Sequence, residues 1–166
     1  TNHEDSEIYN GRGLVLGGSH QLNKLNQKSS IGDLSAILHQ NLPLWTKLWQ
    51  EPSMKTSLMS DWEEKIDNMA REVMKKNITH ITGVSTWTVV LINKILELTK
   101  AGNLLEVWPK LELYVHGGVS FTPYVKIFEK FIPSKKMTYL ETYNASEGFF
   151  GFQDQRDIRE LTLLVD

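Results

Sequence analysis

Six consecutive residues near the C-terminal end, Tyr143-Asn144-Ala145-Ser146-Glu147-Gly148, place an aromatic ring, a hydroxyl and a carboxylate within five positions. A ring of this kind offers a face on which a base can stack, a contact worth ~1–3 kcal/mol where single-strand binding proteins use it. The hydroxyl of Ser146 can hydrogen-bond a phosphate. The carboxylate of Glu147 can hold Mg²⁺, an ion that takes one or two protein oxygens and completes its shell with water and substrate phosphates. A second run, His116-Gly117-Gly118-Val119-Ser120, supplies two residues without side chains, so a flat ligand can approach the backbone there. Plain turns account for either run by itself; the pair together points to a nucleotide.

Other candidate motifs fail on spacing. Gly11-Arg12-Gly13 with Gly17 has its third glycine one residue late for a dinucleotide fingerprint, and no strand is expected before it. Gly17-Gly18-Ser19 lacks the Gly-Lys-Ser/Thr of a phosphate loop. No G-x-S-x-G nucleophile elbow occurs. The five histidines show no metal-ligand spacing, which argues against a transition-metal site built by the protein. Among them His116 is singled out because it closes a strand beside two glycines, although a structural histidine would read the same way.

These groups need a scaffold, and the hydrophobic pattern supplies one. Short apolar runs are expected as strands at 13–18, 78–82, 111–115, 137–142, 149–153 and 161–165. Helices are expected at 33–40, 55–76, 87–100 and 124–131, with 19–30 as a loop. In the longest of these, Leu58, Trp62, Ile66, Met69 and Val73 fall on one helical stripe, and Asp67–Arg71 and Glu72–Lys76 are acid-then-base pairs. The helix after Gly83 is apolar over much of its circumference and should be well buried. Alternating strands and helices predict an α/β fold, a largely parallel sheet with helices on its faces, as one domain over 1–166. Ligands of such sheets bind beyond the carboxyl ends of the strands, where both motifs fall.

Composition bounds the class. Hydrophobic residues make up 40% of the chain and charged residues 23%, an ordinary globular balance. A formal net charge of -2 gives no reason to expect nucleic acid or an anionic membrane surface as partner. The chain has no cysteine, which excludes disulfides, thiolate catalysis and cysteine-ligated zinc within it. The polar, acidic opening from Thr1 to Asn10 does not read as a signal peptide, and no apolar run reaches the ~18 residues of a membrane helix. The expectation is a soluble, cytoplasmic protein.

The runs NLLEVWPKLELYVHGGVSFTPY (Asn103 to Tyr124) and MTYLETYNASEGFFGFQD (Met137 to Asp154) closely resemble bacterial relatives of the plant auxin-responsive acyl-acid amido synthetases, the Gretchen Hagen family of adenylate-forming enzymes. GLVLGGSHQ, PSMKTSLMSDWEEKI and ITGVSTWTVVLINKILELT fit as well, so the likeness spans nearly the whole chain. The resemblance implies an ATP- and Mg²⁺-dependent ligase. A small-molecule carboxylic acid is adenylated, and an amino acid or other amine then takes the acyl group to form an amide; thioester formation on coenzyme A, or a nucleotide-binding module without catalysis, would fit the same fold. It further implies that Tyr143 stacks on adenine with Asn144 beside it, that Ser146 meets the α-phosphate, and that Glu147 ligates Mg²⁺. Gly117, Gly118 and Val119 would flank the adenine, and Thr86, Trp87 and His116 would lie near the acyl group. Ala145 stands where plant members usually have serine, and Ser85 where proline is expected. The family's phosphate loop is expected upstream of Thr1, and its ribose-binding acid and small C-terminal domain beyond Asp166. The chain would then be an internal part of a large domain, inactive alone.

Overall fold

The computed structural model describes residues 6–17, 22–24, 30–32, 41–43, 46–145, 147–156, 158 and 160–165. Nine strands are formed among them: β1 (Arg12–Leu16), β2 (Leu22–Lys24), β3 (Ser30–Gly32), β4 (Gln50–Glu51), β5 (Ile78–Gly83), β6 (Leu113–Gly117), β7 (Thr138–Ala145), β8 (Gly148–Phe152) and β9 (Thr162–Leu163). Four α-helices accompany them: α1 (Met54–Ser57), α2 (Trp62–Val73), α3 (Ser85–Thr99) and α4 (Val125–Phe131). Seven strands make one sheet in the order β4-β1-β5-β6-β7-β8-β9. The pairs from β4 to β7 are parallel, and β8 and β9 add on antiparallel. The expected α/β class with a largely parallel sheet is what the chain forms.

β1, β5, β6 and β7 follow one another across the sheet in chain order. Crossovers of one hand that always step the same way must fall on the same face. The described helices accordingly share one core with that face. Leu14, Ile81 and Tyr114 of the sheet are buried with Ile66, Met69, Ala70 and Val73 of α2, Leu91, Ile92 and Ile95 of α3, and Phe128 of α4. On the opposite face Val15, Thr82, Val115 and Leu140 are only half-buried.

Several expectations are corrected by the geometry. The helix expected over 55–76 is two helices, because Asp61 caps a new start: its carboxylate accepts from the Glu64 N–H at 2.8 Å. The later helix ends at Val73, so Lys75 and Lys76 lie past it. Asp67 and Arg71 pair as expected at 2.7 Å. Glu72 instead accepts from the Ser53 backbone and hydroxyl and from Thr56, while Lys76 reaches Glu51 at 3.6 Å. The expected loop over 19–30 contains β2, which pairs antiparallel with β3. Helix α3 is less enclosed than its apolar sequence implies, since Val90 and Trp87 are exposed. The helix expected over 33–40 lies outside the described residues.

The most consequential correction is at β7. The sequence reading stops that strand at Thr142, but the strand continues through Ala145, because β8 turns back and supplies ladder partners to Tyr143, Asn144 and Ala145. Tyr143 and Asn144 are therefore held on a rigid hairpin rather than in a loop.

Candidate nucleotide site at the strand ends

Parallel pairing brings the carboxyl ends of β1, β5, β6 and β7 to one edge of the sheet. Leu16 pairs with Gly83, Thr82 with Val115, and Gly117 with Thr142. The double-glycine bend thus lies beside the residue that precedes Tyr143. Glycine is required at both positions of the bend. A Cβ on Gly117 would collide with the Thr142 carbonyl oxygen, and Gly118 has φ +80°, in the left-handed region. The Val84 side chain lies against Gly118, which joins the loop between β5 and α3 to the same cluster.

Of the expected adenine-flanking residues, Val119 and Tyr143 are exposed and Asn144 is open to solvent. The Tyr143 ring is 52% exposed, with Phe150 of β8 beside it at a centroid distance of 5.3 Å. One ring face therefore remains available to a planar ligand. Glu147 is exposed in the turn between β7 and β8, a position that suits a carboxylate offered to a hydrated divalent ion. Among the described residues no three His, Asp or Glu side chains cluster as a closed metal cage. A Mg²⁺ held by one carboxylate and phosphate oxygens needs no such cage. Ser146 lies outside the described residues.

The expected acyl-side residues divide. Thr86 and Trp87 lie in the first turn of α3, where no side chain caps the helix and both residues face solvent. Trp87 packs on Trp62, the first residue of α2, at 4.2 Å between ring centroids. Trp62 was invisible as a site residue because its spacing reads as core. The first turn of α3 is anchored by Tyr114, whose hydroxyl lies 3.0 Å from the Gly83 carbonyl oxygen, 3.2 Å from the Ser85 hydroxyl and 3.2 Å from the Thr88 hydroxyl.

His116 is buried, stacked on Phe121 at 4.1 Å, and its Nδ1 has no hydrogen-bond partner. Burial pushes its pKa down to about 4, so the ring is neutral at physiological pH. It forms one wall of a cavity of about 490 Å³ between α4 and the β7–β8 side of the sheet. A structural histidine would be expected to have both ring nitrogens satisfied, and this one does not. Phe121, five residues on in the same motif, was not identified from the sequence as its partner.

An α/β sheet with a double-glycine bend and an exposed aromatic on adjacent strand ends is the arrangement of an adenylate-forming domain. The chain belongs to the GH3 family, the auxin-responsive acyl-acid amido synthetases: the model of the GH3 family N-terminal domain matches residues 6–137. The match includes the bend at Gly117-Gly118 and stops before Tyr143. No curated protein matches the chain. Among the described residues no helix is long and apolar enough to cross a membrane.

Proposed function

We propose that this chain is part of an ATP-dependent ligase that adenylates a carboxylic acid and passes the acyl group to an amine, forming an amide. The observation that supports this most directly is the pairing of Gly117 with Thr142, which seats a side-chain-free bend beside the exposed ring of Tyr143. In this reading adenine lies between the Gly117-Gly118-Val119 backbone and the Tyr143 ring, with Asn144 at its edge. The Ser146 hydroxyl and Glu147 face the phosphates. The acyl group extends toward Thr86, Trp87 and His116.

The first step is attack by a carboxylate oxygen on the α-phosphorus, with pyrophosphate leaving; the amine then displaces AMP from the acyl carbon. The protein contributes position and charge complementarity, the terms that dominate when charge builds on phosphate oxygens. Mg²⁺, when bound at Glu147, supplies neutralisation of that charge. The hairpin of β7 and β8 holds the ring and the carboxylate in fixed register, so neither need be ordered when the nucleotide arrives.

The test is carboxylate-dependent pyrophosphate–ATP exchange in the protein that carries this chain. Glu147→Gln is expected to lower the exchange rate at least 100-fold with an unchanged melting temperature. An unaltered rate removes Glu147 from the reaction. The reading also includes a chain of 166 residues that does not exchange by itself, since no phosphate loop is legible in it.

A further inference from the structure

The cavity beside His116 carries a charge pattern that the nucleotide reading does not use. Two carboxylates, Glu129 of α4 and Glu141 of β7, and three cations, Lys135, Lys136 and Arg156, line the same space. Among the described residues none of these five enters an ion pair. Opposite charges around a common cavity that do not neutralise one another are positioned to neutralise something between them. A ligand with a single charge would satisfy one set and face repulsion from the other. A ligand carrying both satisfies both.

Size and wall chemistry agree. About 490 Å³ is within the range of small-molecule sites, and the aromatic rings of Phe121 and Tyr139 provide an apolar wall among the polar groups. The partnerless Nδ1 of His116 belongs to a side chain only 4% exposed. A buried polar atom in this state is costly unless a ligand or water completes it.

We propose that this cavity binds a small zwitterion, an α-amino acid or a molecule of the same charge pattern. Glu129 and Glu141 receive its ammonium group, and Lys135, Lys136 and Arg156 receive its carboxylate. The bend at Gly117-Gly118 directly follows His116 in β6, so the cavity adjoins the strand ends assigned to the nucleotide. If the ligase reading holds, the zwitterion is placed to serve as the amine. Binding is nevertheless measured without ATP, so the two proposals can fail separately.

The experiment is ligand-observed NMR and calorimetric titration of the protein, free of nucleotide, with a panel of α-amino acids. Each is compared with its N-acetyl and methyl-ester derivatives, which remove one charge apiece. At least one free amino acid is expected to bind, with both derivatives at least tenfold weaker. Glu141→Gln and Arg156→Gln should each weaken binding tenfold or more, while the distant Lys100→Gln should not. Glu129→Gln serves in place of Glu141→Gln if circular dichroism shows that variant misfolded. Absence of binding across the panel overturns the proposal. So does equal binding by the capped derivatives, or charge variants that bind as the unaltered protein does.

Discussion

Gly117 stands directly opposite Thr142 in the ladder between β6 and β7, and the Thr142 hydroxyl donates to the His116 carbonyl oxygen at 3.2 Å. Through this contact the double-glycine bend and the Tyr143 hairpin behave as one unit. A methyl group on Gly117 would meet the Thr142 carbonyl oxygen, a backbone atom that cannot swing away. Gly117→Ala should therefore cost about 1–3 kcal/mol, the usual toll of overpacking. For a chain of this size that lowers the melting temperature by roughly 2–4 °C per kcal/mol. A thermal melt unchanged by the substitution would disprove the β6–β7 register.

Tyr143 is exposed, and its removal should affect ligand more than fold. Tyr143→Ala is expected to change stability by less than about 0.5 kcal/mol. ATP affinity should fall by ~1–3 kcal/mol, roughly 5- to 150-fold, if the ring stacks on the base. Tyr143→Phe keeps the ring face and should keep the affinity. Fluorescence titration with a labelled ATP analogue distinguishes the three proteins, and equal affinities would end the stacking assignment.

Tyr114 acts as a buried strut. Its ring stacks on Phe128 at 4.7 Å, and its hydroxyl meets the end of β5 and the first turn of α3. Tyr114→Phe retains the stack and leaves Ser85 and Thr88 short of a partner, at a cost of about 1–3 kcal/mol. Hydrogen exchange should quicken in the first turn of α3 and remain unchanged in α2. Uniform protection across both helices would contradict this arrangement.

Stability should depend on pH through His116. Its folded pKa of about 4 lies below the 6.5 of the unfolded chain, so the unfolded state takes up a proton first as pH falls. The contribution is complete above about pH 6.5 and declines toward pH 4, by on the order of 2 kcal/mol after allowance for water reaching the site. Burial lowers the His80 pKa as well, in the same sense. His116→Phe should thus flatten the pH dependence of urea unfolding between pH 6.5 and 4 in part. If that variant follows the same curve as the unaltered protein, His116 is not the group responsible.

The α/β class, the identity of the main strands and α3, and the two motifs at strand ends were legible in the amino-acid order. Each is a local signal: β-branched runs halted by glycine, an apolar stripe at helical spacing, an aromatic followed by a hydroxyl and an acid. Periodicity could not distinguish one long helix from two, because the break at Asp61 depends on a single capping hydrogen bond that competes with the next helical turn. The strand β4 is two residues long, and its pairing with β1 depends on chain far away in sequence. The extension of β7 through Tyr143 and Asn144 likewise exists because β8 folds back on it.

What the residue order alone determined is which groups are available: a ring, a carboxylate, a side-chain-free bend and a histidine at the ends of strands. Tertiary structure decided which of them meet. Parallel register set Gly117 beside Thr142, and the hairpin held Tyr143 open to solvent. Packing under Phe121 buried His116 as a neutral ring and left five charges around one cavity. Those outcomes follow from contacts between residues distant in the chain, whose energies no local pattern contains.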